Sequence, residues 1–156
     1  MSANISVVRK IAWLALIPQF LFAILLIFFW HQLRAPDPPL YGLITYLLIS
    51  FALRTFIPHN HNKGMKLVKQ DKFEEAIIHF EKSYEFFVRH EWLDKYRYIT
   101  LLSSSAMSYR EMSLTNIGLC YAQLGDSQLA KKYYEKTLEE FPESEIAKSG
   151  LNLLDE

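Results

Sequence analysis

The chain has little cysteine, little glycine and no excess of charge of either sign. Cys120 is the single cysteine among 156 residues, which agrees with a reducing compartment. The five glycines form no phosphate-cradling loop, and neither a Walker run, a dinucleotide fingerprint nor a Ser-His-Asp signature is present. An enzyme is therefore not expected, and no cofactor is implied. His59 and His61 stand two apart with no cysteine or further histidine near enough to complete a metal set. The 17 basic and 17 acidic residues cancel, so the broad basic surface of a duplex-binding protein is missing. Acids are also nearly absent from the amino-terminal third, where Asp37 is the only one before Ile57.

What that third does contain is apolar length. Ile11 to Trp30 is an uncharged run of 20 residues with Gln19 its most polar member. At a rise of about 1.5 Å per residue it covers about 30 Å, the core of a bilayer. Pro18 suggests a kink within it. Leu40 to Ile57 is a second, shorter run that carries Thr45, Ser50 and Arg54. The three prolines of His31 to Pro39 place the turn between them. The spacing predicts two transmembrane helices, about 11–30 and 40–57, in a membrane domain 1–57 followed by a helical domain 58–156. No small-residue cleavage site follows Trp30, so an uncleaved span is expected rather than a signal peptide.

Basic residues set the orientation. Arg9 and Lys10 precede the first run, and Arg54, Lys63, Lys66 and Lys69 end or follow the second, against a lone Arg34 in the turn. The positive-inside rule then places both termini and the soluble domain in the cytoplasm, as in a two-pass protein of the inner (cytoplasmic) membrane. The three lysines suit anionic headgroups of the lipid bilayer, or simply form a solvated helix face.

Further along, Leu114, Ile117, Tyr121 and Leu124 recur at helical spacing. Gly118 sits in mid-helix, where it costs about 1 kcal/mol against alanine, a cost that close approach of a partner helix offsets. Gly125-Asp126 breaks the helix, and Asp126 or Ser127 caps the next. Ala130, Tyr134 and Leu138 form the facing stripe, which Phe141-Pro142 ends. This pattern resembles the tetratricopeptide repeat, except that Thr137 stands where the family prefers a small alanine. Gly64, Leu67, Ala76, Phe80 and Ser83 repeat the offsets of Gly118, Tyr121, Ala130, Tyr134 and Thr137. They lie 54 residues upstream, about 20 more than the usual period of roughly 34. The resemblance covers about 60–83 and 113–142. It implies an all-α domain of helical hairpins that binds a protein or peptide partner; the compact plan alone suggests a bacterial source. Ser144 to Leu154 reads as a capping helix.

The extra residues between the copies form an insertion, roughly Arg89 to Met112. The stripe of Phe73, Ile77, Phe80, Tyr84 and Phe87 continues towards Trp92, Tyr96, Ile99 and Leu102, which predicts an elongated central helix. Ser103-Ser104-Ser105 interrupts it, because serines compete for backbone hydrogen bonds and favour caps. Arg97, Tyr98, Ser103, Ser104, Ser105, Tyr109 and Arg110 thus gather at one corner. Two readings of that corner stand side by side. In one it is a structural turn whose serines cap and whose arginines pair with Glu111 or Asp94. In the other it is an anion or nucleotide site, since helix amino-termini favour negative charge, arginines grip phosphate and tyrosines stack on bases.

Three functions follow. The first is a membrane-anchored adaptor. The second is a gated effector: a hairpin followed by a small helical sensor resembles the membrane effectors of type III CRISPR antiviral defence, which implies a cyclic oligoadenylate as ligand. The third is an assembly factor with no ligand of its own. Two repeats make a small core, and one hairpin encloses no pore, so a homo-oligomer is expected.

Overall fold

The computed structural model describes Trp13 and residues 16–154, and its helices run in nine segments among these residues. Ile11, where the first apolar run starts, and Arg9 and Lys10 lie outside the described residues. Helix α1 (Leu16–Gln32) and helix α2 (Pro38–Phe56) form an antiparallel hairpin. Pro38 and Pro39 are not in the turn, as expected from the sequence, but open α2. There a missing N–H costs nothing, and Asp37 caps the helix by accepting the Leu40 amide at 3.2 Å.

The hairpin is inverted relative to a soluble helix pair. Its contact face is small and polar: a Cβ on Gly42 would come within 2.9 Å of the Ile27 backbone, a close approach that only a small residue permits. Trp30 Nε1 donates to Thr45 Oγ1 at 3.0 Å, and the Tyr46 hydroxyl donates to Gln19 Oε1 at 3.3 Å. Gln19 and Ser50 are buried, whereas Phe20, Leu25, Leu48 and Phe51 are 63–67% exposed. Helix α2, at 19 residues, is long and apolar enough to cross a membrane, while the 17 described residues of α1 make a shorter apolar helix.

Six helices and a tail follow: α3 (His59–Val68), α4 (Phe73–Arg89), α5 (Glu91–Lys95), α6 (Arg97–Thr100), α7 (Tyr109–Gln123), α8 (Ser127–Glu140) and α9 (Glu145–Leu154). The long ones stack in order, α3 on α4, α4 on α7, α7 on α8 and α8 on α9. The two hairpins α3–α4 and α7–α8 are built by the same device. A Cβ on Gly64 would lie 2.7 Å from the Phe80 ring, and one on Gly118 would lie 2.8 Å from the Tyr134 ring. Each glycine lets a large ring of the facing helix seat directly on backbone. The turns match as well. Asp71 and Gly125 both have positive φ, 57° and 80°. Asp71 and Lys72 donate to the Val68 and Leu67 carbonyls as Gly125 and Asp126 donate to Ala122 and Tyr121. That is the left-handed helix stop usually reserved for glycine and tolerated by aspartate.

The elongated central helix is not observed. Helix α4 ends at Arg89, and His90 leaves the helical region at φ −119° and ψ 49°. Two short helices then fold back instead of running on to Leu102. Folding back buries Leu101 completely against Phe87 and Tyr109 and delivers Asp94 to the start of α7. The tail forms the expected capping helix, with Gly150 of α9 closing on the Tyr134 ring from the other side.

His61 gives the core of the α3–α9 stack a pH dependence. Its ring is 6% exposed, packs against Phe80 and Tyr109, and leaves Nδ1 without a partner. Burial lowers its pKa from 6.5 to about 4. Below pH 6.5 the unfolded chain takes a proton that the fold refuses, so stability falls as pH drops towards the folded value and is constant above. The loss should total roughly 3 kcal/mol across that window. His61→Phe keeps the ring packing and removes the titration. Urea midpoints of the full chain in micelles between pH 7 and 4 should diverge from the variant's by that amount, and parallel curves would refute the assignment. Cys120 is also fully buried, and its thiol is pushed up to about 12, so it packs as a small apolar group and does not react.

Candidate functional site

The corner between α4 and α7 is held together by side chains that bond to their own backbone. Arg97 opens α6 and turns inward. Its Nε donates to the Ser105 carbonyl at 3.1 Å, Nη1 to the Asp94 carbonyl at 3.1 Å, and Nη2 to the Ala106 carbonyl at 2.5 Å and the Tyr98 hydroxyl at 3.1 Å. The guanidinium also lies 4.7 Å from the Tyr98 ring centroid. The serines knit the same loop. The Ser103 amide donates to the Arg97 carbonyl at 3.0 Å, the Ser105 amide donates to Ser103 Oγ at 3.3 Å, and Ser105 Oγ donates to the Met107 carbonyl at 3.1 Å. Ser104 lies half-buried between them.

The amino-terminus of α7 is the natural seat for an anion, and the protein fills it with its own carboxylate. Asp94 is 2% exposed and accepts the Tyr109 amide at 2.7 Å and the Arg110 amide at 3.0 Å. Ser108, not the Ser103–Ser105 run, supplies the conventional cap by accepting the Glu111 amide at 3.1 Å. Burial raises the Asp94 pKa above the usual carboxylate value, while its two amide donors and the nearby Arg97 and Arg110 charges pull it down.

Arg110 faces a different set of partners. Its Nη2 lies 2.6 Å from Glu140 and its Nη1 lies 3.4 Å from Glu91, with the guanidinium 5.6 Å from the Phe141 ring centroid. Neither Glu111 nor the Asp94 side chain is its ion-pair partner; Asp94 takes only its amide. The Tyr84 hydroxyl donates to the same Glu140 carboxylate. Burial and that bond push the tyrosine up to about 12. The pairing of Arg110 thus joins α7 to the ends of α5 and α8. Tyr109 is buried, stacked 4.7 Å from Phe87, so its ring belongs to the core.

The structure therefore brings Arg97, Tyr98, Ser103 and Ser105 into one bonded loop, sets Arg110 in an acidic cluster and puts Tyr109 inside. Glu140 and Tyr84 were not legible as partners, and Asp94, expected to pair with an arginine side chain, instead accepts the α7 amides. The Ser108 cap was missed in favour of Ser103–Ser105, although Ser108-x-x-Glu111 has the capping-box spacing that could have found it.

The other surface with binding potential is the stack itself. Helices α7 and α8 meet through Gly118 and Tyr134, and Asp126 caps α8 by accepting the Leu129 amide at 3.0 Å. Residues 112–144 match the tetratricopeptide repeat family. The α3–α4 hairpin lies outside that match and is related to it here by packing and turn geometry. Thr137 is fully buried with its hydroxyl donating to the Tyr133 carbonyl at 2.8 Å, which is how the repeat accepts a polar residue where a small one is usual. No curated protein and no solved structure matches the chain.

Proposed function

We propose that the chain is a membrane-anchored tetratricopeptide-type interaction module, with the hairpin α1–α2 in the bilayer and the repeat domain on the cytoplasmic side, where it binds a protein or peptide. The observation that carries the reading is the inversion of the hairpin. A pair that buries Gln19 and Ser50 while leaving Phe20, Leu25, Leu48 and Phe51 outside is built for a solvent less polar than its own interface. Arg54 and the lysines of α3 stand at the end of α2 that leads into the repeats, which supports the cytoplasmic side. Tetratricopeptide repeats present helical faces to partners and carry no catalytic apparatus of their own, so binding is the activity this module offers. With two hairpins and a capping helix, self-association through the hairpins would complete the assembly.

A reporter fused after Glu156 tests the anchor. In a bacterial host, a fluorescent protein at that position should glow and alkaline phosphatase there should stay inactive. The membrane fraction should also retain the chain through carbonate washing. Release by carbonate, or an active phosphatase, would overturn the topology.

The nucleotide-gated alternative makes a separate demand. Arg97 would have to leave four oxygen partners, and an incoming phosphate would have to displace Asp94 from the α7 amides. A cyclic oligoadenylate added to the full chain in micelles should therefore shift its melting temperature by less than the scatter between replicates. A shift of several degrees that Arg97→Ala abolishes would replace the adaptor by the effector, since ligand binding stabilises with the logarithm of concentration over Kd.

A further inference from the structure

One apolar stripe of the soluble part is left uncovered by its own core. Trp92, Tyr96 and Ile99 are 58%, 53% and 63% exposed. Their spacing of four and three residues puts them on one face of a helical path. Tyr96 is the break between α5 and α6, and helical bonds run up to it from Trp92, whose carbonyl accepts the Tyr96 amide, and away from it to Thr100, whose amide donates to the Tyr96 carbonyl. Lys95 Nζ stands 5.8 Å from the Tyr96 ring centroid, so a cation accompanies the aromatics.

The stripe is fastened to the hairpin. Helix α6 packs against α1, and the Arg54 guanidinium near the end of α2 donates to the Leu102 carbonyl just beyond α6. Gly42 meets Ile27 and Tyr46 meets Gln19, so the two hairpin helices run antiparallel and α1 begins beside the end of α2. That shared end carries Ile17, Phe20 and Phe56, exposed by 59%, 66% and 73%. The stripe therefore adjoins the apolar outer surface of the hairpin at the end where the repeats attach.

We propose that Trp92, Tyr96 and Ile99 lie in the interfacial layer of the same lipid bilayer that the hairpin enters, giving the repeat domain a second contact with the membrane and fixing its tilt. This rests on the hairpin being membrane-embedded. The chemistry fits the headgroup level. Tryptophan and tyrosine concentrate there because one end of the ring system is apolar and the other wet. Lys95 can lay its stem along the stripe and reach a lipid phosphate. The bonds of Arg97 to three carbonyls give α6 a fixed platform, so the stripe is presented as a rigid face rather than a loose loop.

The test uses the full chain in phosphatidylcholine–phosphatidylglycerol vesicles whose acyl chains are brominated near the headgroup. W13F/W30F leaves Trp92 as the single tryptophan, and W13F/W92F leaves Trp30, which reports on the hairpin alone. Trp92 emission is expected to fall about two-fold relative to unbrominated vesicles, the response of a ring at the interfacial depth where aromatic belts sit. If Trp30 is quenched and Trp92 is not, the stripe does not touch lipid and the proposal is overturned while the anchored hairpin stands. Shielding of that unquenched Trp92 from acrylamide would identify a second copy of the chain as its cover. If neither is quenched, the hairpin is not in the bilayer and both readings fall together. Ile99→Cys carrying an environment-sensitive label gives the same readout with all three tryptophans in place, since the buried Cys120 thiol will not take the label.

Discussion

Phe80→Ala should remove about 3–5 kcal/mol of stability, the range for deleting a fully buried aromatic ring. Phe80 is 0% exposed, seats on the bare backbone of Gly64 and touches the His61 ring 5.6 Å away. It also belongs to the cluster that joins Leu67 and Ala76 of the first hairpin to Ile117 and Cys120 of the second. Its removal therefore opens a cavity at the joint between hairpins, where neither can collapse into the gap without moving the other. Denaturation of the full chain in micelles, followed by the helical dichroism signal, gives the value. A loss below about 1 kcal/mol, the ordinary cost of an average substitution, would mean that α3–α4 is not part of one cooperative stack.

Asp94→Ala should cost about 2–4 kcal/mol, because the α7 amides it caps would lose a charged acceptor inside the protein. Asp94→Asn should recover little of this. An asparagine has one acceptor oxygen and would turn its NH₂ towards an amide that also donates. The pair separates the cap from the volume of the side chain. The same variants bear on function. Chloride or phosphate raising the melting temperature of Asp94→Ala, while leaving the wild type unmoved, would show that the α7 terminus binds anions once the internal carboxylate is gone. An asparagine variant as stable as the wild type would show that the cap needs an acceptor but no charge, and an alanine variant as stable would show that Asp94 does not cap. Arg97→Ala acts on the same loop from the other side. Its effect on folding should be read alongside its effect on any ligand.

The sequence carries its local rules openly. Glycine facing an aromatic 16 residues later, as Gly118 faces Tyr134 and Gly64 faces Phe80, is a spacing that only two antiparallel helices around a tight turn can satisfy. Uninterrupted apolar runs with Gln19 and Ser50 as isolated polar members likewise announce the hairpin. The equivalence of Asp71 to Gly125 was present in the spacing but hidden by residue type, since aspartate is less expected than glycine in a left-handed turn. The end of α4 is not visible in the sequence for a related reason. Helical periodicity persists from Phe73 through Leu102, yet periodicity records which residues share a face and not whether the axis continues.

What the sequence by itself determined is therefore whatever depends on neighbours within a turn or two: most of the helices, the cap at Asp126, the glycine seats and the repeat they compose. Tertiary structure alone decided the corner. Asp94 reaches amides 15 and 16 residues away, Arg110 reaches Glu140 at a separation of 30, and Tyr84 reaches the same carboxylate at 56. No periodicity links such positions. They meet because the chain leaves the helix at His90 and packs Leu101 back against Phe87 and Tyr109. That return carries Asp94 to the start of α7 and leaves Trp92, Tyr96 and Ile99 on the outside.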